Sequence, residues 1–148
     1  MKQKGFLMIF VTIAVLICLT GCTGKTRYQF SRPLDSICSI EIVDISGEGA
    51  RTDQELGKIT VIQALDSSDW NQFLDGLQDI PCWKYWNDPP QYIRNHAIQV
   101  GYEDGTIEML SSSSSGLCAE IDGVYTVIDY NWFYFDDEAF LELLSSYI

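Results

Sequence analysis

Residues 66–81 read DSSDWNQFLDGLQDIP, and their apolar positions follow the spacing of one face of an α-helix. Asp66, or one of the two serines after it, can cap the free N–H groups at the start, and Pro81 cannot continue the helix. The apolar face consists of Trp70, Phe73, Leu74, Leu77 and Ile80. The sequence therefore predicts an amphipathic helix that packs on a core.

Two strands are predicted before this helix. ICSIEIV, residues 37–43, alternates so that Cys38, Ile40 and Ile42 share one face. KITVIQAL, residues 58–65, is rich in β-branched side chains, which favour strands. The polar stretch between them, residues 46–57, is predicted to be a loop or a wide turn.

Two hairpins are predicted after the helix. HAIQVGY and TIEML flank EDG, and LCAEI and VYTVI flank DG, which predicts tight turns at Gly105 and Gly123. The low-complexity run SSSSSG, residues 111–116, is expected to join the two hairpins.

A last helix is predicted over DDEAFLELLSSYI, residues 136–148, with Asp136 as its cap. Its buried stripe would be Phe140, Leu143, Leu144 and Tyr147. The predicted order is β-β-α-β-β-β-β-α. This order is typical of an α+β fold, with an antiparallel sheet of about six strands and two helices packed on one face.

The start of the chain has the features of a targeting segment. Lys2 and Lys4 precede FLMIFVTIAVLICL, residues 6–19, an uncharged run that is short for a bilayer span of about 20 residues. LTGC, residues 19–22, follows it and resembles the lipobox of bacterial lipoproteins. The resemblance implies a diacylglyceryl thioether on Cys22 and cleavage after Gly21. Two acyl chains give stable anchoring. An uncleaved signal anchor or an ordinary secretory signal is the alternative.

The predicted domain organisation follows from this assignment. Residues 1–21 would be the signal peptide, residues 22–36 the lipidated cysteine with a flexible polar tether, and residues 37–148 a single α+β domain. The layout loosely resembles small lipoproteins of Gram-positive bacteria that have no assigned function. That resemblance implies a location on the outer face of the bacterial cytoplasmic membrane and implies no particular chemistry.

The charge of the chain argues against nucleic-acid binding. Cleavage would leave 127 of the 148 residues, with seven basic and 21 acidic side chains and a formal net charge of −14. Lys25, Arg27 and Arg32 lie near Cys22, where each could add about 1 kcal/mol of attraction to anionic headgroups. From Pro33 onward the net charge is −17, with four basic and 21 acidic residues, so an anionic membrane should repel that domain. Alternatively, the acidity only keeps an exported protein soluble.

Patterns for catalysis and metal binding are weak. His96 is the only histidine, and no nucleophile motif surrounds it. Cys38, Cys82 and Cys118 lack the spacing of a zinc site, and neither YEDGTIE nor DYNWFYFDDE matches an EF-hand loop. The sequence therefore predicts no catalytic residue, no metal and no cofactor.

Three cysteines besides Cys22 would remain in the mature chain, an odd number for an exported protein. Cys38 shares the strand phase of Ile40 and Ile42 and is expected to be buried. Cys82 and Cys118 are then the better candidates for a disulfide, although nothing in the sequence fixes their distance.

The segment CWKYWNDPPQY, residues 82–92, is the best candidate for contact with a ligand or partner. Tryptophan and tyrosine supply large flat surfaces at little entropic cost, as sugar-stacking platforms and protein hot spots require. The candidate contact residues are Trp83, Tyr85, Trp86 and Tyr92. The alternative is that these side chains cap the end of the core beneath a long connection.

These features predict a membrane-anchored extracytoplasmic lipoprotein that acts as a non-catalytic binding or interaction module. Its partners would be the membrane, through the lipid on Cys22, and a protein or a cell-wall glycan. The alternative is a small cell-envelope hydrolase that uses His96 with nearby carboxylates. Such an enzyme needs His96 beside a cleft with a second polar group, whereas a binding module needs only an exposed aromatic patch.

Overall fold

The computed structural model describes residues 25–85, 93 and 95–148, and within them short apolar strands and two amphipathic helices form an α+β fold. The elements in chain order are β1 (Lys25–Thr26), β2 (Ile37–Ile45), β3 (Ile59–Ala64), α1 (Trp70–Asp79), β4 (Cys82–Lys84), β5 (Asn95–Tyr102), β6 (Ile107–Leu110), β7 (Ser115–Ile121), β8 (Val124–Tyr130), β9 (Phe133–Phe135) and α2 (Asp137–Ser145). A turn of 3₁₀ helix, Leu34–Ser36, precedes β2.

Six of these strands form one antiparallel sheet, called the large sheet, in the order β3-β2-β5-β6-β7-β8. Both predicted hairpins are confirmed. Asp122 and Gly123 have φ values of 52° and 79°, as a two-residue hairpin turn requires, and Gly105 turns the other hairpin with φ 82°. The predicted order of strands and helices in this part of the fold is therefore confirmed.

The two helices lie on one face of the large sheet. Phe73 and Leu77 of α1 and Phe140 and Leu144 of α2 share a buried cluster with Ile40 and its neighbours on the sheet. The opposite face carries a second, smaller cluster. Its members are Val43, Ile45, Leu56, Ile93, Ala97, Ile107, Met109, Cys118 and Val127. The fold therefore has an apolar layer on each side of the sheet, and the helices cover the larger one.

The two helices begin differently. Asp136 caps α2 as predicted, because its side chain accepts a hydrogen bond from the Ala139 N–H at 3.0 Å. The predicted cap of α1 is wrong. Asp69 occupies that position without a side-chain cap, while the Asp66 carboxylate accepts from the Ser68 N–H one turn earlier. Asp66 therefore forms a local turn that leads into the helix.

A second sheet, called the small sheet, was not predicted. Its three strands pair antiparallel in the order β1-β4-β9. The predicted flexible tether over residues 22–36 is therefore wrong for the described part, residues 25–36. β1 pairs with β4, and only 2% of Tyr28 is exposed. The physical reason is that one buried aromatic ring and a short strand pairing order a segment that has no apolar periodicity.

Glu108 joins the segment after β1 to the large sheet. Its carboxylate lies fully buried on β6 and accepts hydrogen bonds from the Tyr28 hydroxyl at 2.6 Å and from Asn131 Nδ2 at 2.7 Å. The Ser31 N–H and Oγ and the Tyr102 hydroxyl donate to it as well. Burial, together with the charge of Glu108, raises the pKa of Tyr28 and of Tyr102 above the ordinary tyrosine value. These neutral donors therefore satisfy a carboxylate in the core.

Candidate functional site

A cleft of about 450 Å³ opens where the end of β2 and the start of β5 meet α2. Antiparallel pairing sets Asp44 of β2 opposite His96 of β5. The serine loop, residues 111–114 between β6 and β7, forms another wall. The lining residues are Asp44, Asn95, His96, Ser112, Ser113, Asp137 and Leu141. This volume lies within the range of small-ligand sites, about 300–1,000 Å³.

Hydrogen bonds close the serine loop and join it to β9 and to α2. The Ser111 N–H and Oγ both donate to the Ser114 carbonyl, at 2.7 and 2.9 Å. The Phe135 N–H donates to the Ser112 carbonyl at 2.7 Å. The Ser112 hydroxyl then donates to Asp137 Oδ1 at 2.5 Å in the first turn of α2. Ser112 of the loop and Asp137 of α2 therefore hold a hydroxyl and a carboxylate together on one side of the cleft.

His96 lines this cleft and also an adjoining groove of about 360 Å³ along α2. Its imidazole makes no hydrogen bond with any residue that the structure describes. Because the Ser112 hydroxyl donates to Asp137, serine, imidazole and carboxylate do not form the hydrogen-bonded chain that activates a serine nucleophile. The His96 imidazole and the Asp44 carboxylate also line the cleft, so the arrangement offers polar groups for hydrogen bonding to a polar ligand.

The outer face of the small sheet, formed by Lys25, Trp83, Tyr85 and Tyr134, carries an aromatic cluster. Trp83 lies opposite Lys25 on one neighbouring strand and opposite Tyr134 on the other, so these three side chains point to the same side. Trp83 and Tyr134 stack with ring centroids 5.4 Å apart, and Tyr85 packs on Tyr134 at 4.6 Å. The three rings are half-buried and lie on the side of the sheet away from the core residue Cys82.

Tyr85 connects this face to the cleft. Its N–H donates to the Trp132 carbonyl at 2.7 Å, and its hydroxyl donates to the Ser113 carbonyl in the serine loop at 3.1 Å. Burial, with a smaller effect of Tyr134, raises the pKa of Tyr85. The aromatic rings and the cleft are therefore neighbouring parts of one surface.

The predicted contact residues can be compared with this geometry only in part. Trp83 and Tyr85 lie together on the outer face of the small sheet, and neither is buried in the core. Trp86 and Tyr92 lie outside the described residues, as do Cys22 and the predicted signal peptide. Whether the aromatic segment contacts a partner therefore stays a prediction.

The predicted burial of Cys38 is wrong, and the candidate disulfide between Cys82 and Cys118 is not formed. Cys38 is exposed, because the register of β2 against β5 shifts between Ile37 and Ser39 and turns the intervening side chain away from the core. Cys82 and Cys118 are free thiols that belong to the clusters on opposite faces of the large sheet. They cannot form a disulfide in this fold. Burial raises the pKa of Cys82 to about 11 and that of Cys118 to about 12.

Sequence reasoning missed most residues of the cleft. Asp44, Ser112 and Asp137 come from three distant stretches, and only the fold brings them to His96. The low-complexity composition of the serine loop gave no signal for a site. Tyr134 was missed as well, because its strand, residues 133–135, has only three residues and is too short for an alternation pattern to indicate it.

Among the described residues, no three His, Cys, Asp or Glu side chains are placed to share a metal ion. In that same part of the chain, neither helix has the length and apolar character needed to cross a membrane. The chain matches no protein family, no curated protein and no solved structure. What the protein binds must therefore be inferred from its own residues.

Proposed function

We propose that the protein is an extracytoplasmic lipoprotein, anchored through Cys22 on the outer face of a bacterial cytoplasmic membrane, whose domain is a non-catalytic binding module. The lipobox resemblance of LTGC supports the anchor. The cleft at His96 supports the binding role and is the observation that carries it. The expected ligand is a polar chain, with a cell-wall glycan first and a peptide segment of a protein partner second.

The chemistry of the cleft favours such a ligand. Carboxylate, hydroxyl, imidazole and amide groups line it, and these groups pair with the hydroxyl and amide groups of glycans and peptides. Leu141 adds an exposed apolar surface on α2. Tyr85 borders the cleft through its hydrogen bond to the serine loop, which places an aromatic ring beside the polar groups.

One observation favours the alternative function, a hydrolase. His96 does line a cleft that also holds Asp44, Asp137 and Ser112, as an enzyme would require. The Ser112 proton, however, is donated to Asp137, and the imidazole has no hydrogen-bonded partner among the described residues. Catalysis by Ser112 would require these hydrogen bonds to change, whereas a binding site does not. Binding is therefore the better supported function.

Sedimentation with purified peptidoglycan tests the binding role. The lipid-bearing full chain in detergent should sediment with peptidoglycan, and Leu141→Arg should reduce the bound fraction at least tenfold by filling the cleft. Ile128→Arg is the matched control, because Ile128 is 52% exposed against 44% for Leu141 and does not line the cleft. Equal binding of the two variants would contradict the assignment of the cleft.

Two further readouts separate the alternatives. A hydrolase should release soluble fragments from peptidoglycan over time, and His96→Ala should abolish that release. A protein ligand should crosslink in living cells to a photoreactive amino acid placed at Ser113, and Leu141→Arg should abolish the crosslink. If neither peptidoglycan nor a cleft-dependent crosslink is found, the cleft does not bind a cell-envelope partner.

A further inference from the structure

The start of the described chain lies close to the predicted anchor. Lys25, the first residue of β1, follows Cys22 by three residues, and β1 is an edge strand of the small sheet. Three residues span at most about 10 Å even when fully extended. Because residues 25–36 are folded rather than a tether, a lipid on Cys22 would hold the small sheet within about 10 Å of the headgroups.

The outer face of the small sheet has the side chains that suit a membrane interface. Trp83 and Tyr134 stack there, Tyr85 packs beside them, and Lys25 lies in the same cross-strand row. Tryptophan and tyrosine are enriched at the level of lipid headgroups, because their rings are apolar and their N–H and O–H groups are polar. Lysine is attracted to anionic headgroups.

The charge of the small sheet differs from that of the rest of the domain. Its three strands carry no acidic residue, and Lys25 lies on the outer face. Lys84 lies on the opposite side of the sheet, with its Nζ 5.9 Å from the centroid of the Phe133 ring. Arg27, next to β1, is also exposed. The net charge of −17 from Pro33 onward predicts repulsion of the domain as a whole from anionic lipid. The outer face of the small sheet does not share that negative charge.

We infer that the outer face of the small sheet rests on the anionic phospholipid surface to which the lipid on Cys22 is attached. This inference depends on the proposed lipid anchor. It assigns Trp83 and Tyr134 to the headgroup region, with Lys25 pairing with phosphate, and it directs the acidic large sheet away from the bilayer. The domain then has one fixed orientation instead of swinging on a tether.

Quenching by brominated lipid tests this orientation. The full-length lipid-bearing chain is reconstituted into vesicles of phosphatidylcholine and phosphatidylglycerol in which part of the lipid carries bromine near the headgroup end of its acyl chains. Bromine quenches only tryptophans that it contacts. Wild-type emission should fall, and Trp83→Phe should lose at least half of that quenching. Trp70→Phe is the control, because Trp70 lies on α1 with its indole N–H bonded to the Leu65 carbonyl.

A charge variant gives a second readout that preserves the aromatic rings. Lys25→Glu should weaken the quenching in vesicles that contain phosphatidylglycerol, and the difference from wild type should vanish in phosphatidylcholine alone. Far-ultraviolet circular dichroism identifies any variant that fails to fold. Since Phe retains a ring that can pack on Tyr134, Trp83→Phe is expected to fold.

Flotation of the same vesicles separates failure of this inference from failure of the anchor. A chain that floats with the vesicles while Trp83→Phe leaves the quenching unchanged would overturn the orientation and leave the anchor intact. The outer face would then be available to a protein or glycan partner. A chain that does not float would contradict the lipid anchor, and the orientation with it.

Discussion

The two sheets of this protein differ in charge as much as in size. The six strands of the large sheet contain five acidic residues and no lysine or arginine. The three strands of the small sheet contain two lysines and no acidic residue. Both sheets contribute side chains to one buried cluster. Under the proposed lipid anchor, this difference in charge would favour the small sheet facing the membrane and the large sheet facing solvent.

The largest effect is expected where the two sheets are joined. Glu108→Ala would remove the acceptor shared by Tyr28, Ser31, Tyr102 and Asn131 and leave several donors unpaired. Each buried unpaired group costs about 1–3 kcal/mol, so the free energy of unfolding should fall by at least about 4 kcal/mol. Urea denaturation measures it, with exposed Glu120→Ala as a near-neutral control. Equal urea midpoints for the two variants would show that the hydrogen bonds to Glu108 do not stabilise the fold.

A slightly smaller effect is expected in the core that both sheets share. Leu77 is fully buried on α1, in the cluster that also contains Ile40 of the large sheet and Phe135 of the small sheet. Leu77→Ala should lower the free energy of unfolding by about 3 kcal/mol through lost burial and a residual cavity. Thermal denaturation measures the change, and Leu141→Ala, on the exposed side of α2, is the control. An unchanged melting temperature for Leu77→Ala would place α1 outside the core.

High pH should lower the free energy of unfolding through Tyr28, whose hydroxyl donates to Glu108. Its pKa is raised in the folded protein, so the unfolded chain loses that phenolic proton first as the pH rises. Its contribution to stability is complete below about pH 10 and is lost progressively above it. In Tyr28→Phe, the free energy of unfolding should therefore fall less steeply with pH above about pH 10, by up to about 1.4 kcal/mol per pH unit. An identical slope in wild type and variant would show that the phenol titrates alike in both states.

The smallest effect concerns the helix that follows the small sheet. α2 begins directly after β9, and the Asp136 N–H donates to the carbonyl of Pro81 next to β4. Asp136→Ala removes the side-chain cap and should cost about 1 kcal/mol. Asp69→Ala is the matched control, since Asp69 precedes α1 without capping it. Chemical denaturation of both should show a loss for Asp136→Ala alone, and equal losses would contradict the difference between the two caps.

Local patterns predicted the large sheet and both helices, because alternation and the spacing of apolar residues reflect interactions between near neighbours in sequence. The small sheet lacked such a signal, since its strands have two or three residues and come from distant parts of the chain. The cleft was hidden for the same reason, as Asp44, His96 and Asp137 meet only through the fold. The predicted burial of Cys38 failed because the register of β2 against β5 shifts at this residue, and an alternation pattern does not reveal such a shift.

In the arrangement that we propose, lipid on Cys22 holds this protein to the membrane and places the small sheet at the bilayer. The most direct test is intact-mass and N-terminal analysis of the full chain extracted from membranes of a bacterium that expresses it. We expect a mature chain that begins at Cys22 and carries a diacylglyceryl group on its sulfur, and we expect Cys22→Ser to leave the precursor uncleaved. A mature terminus at another residue, or a wild-type chain that keeps residues 1–21 and carries no lipid, would contradict it.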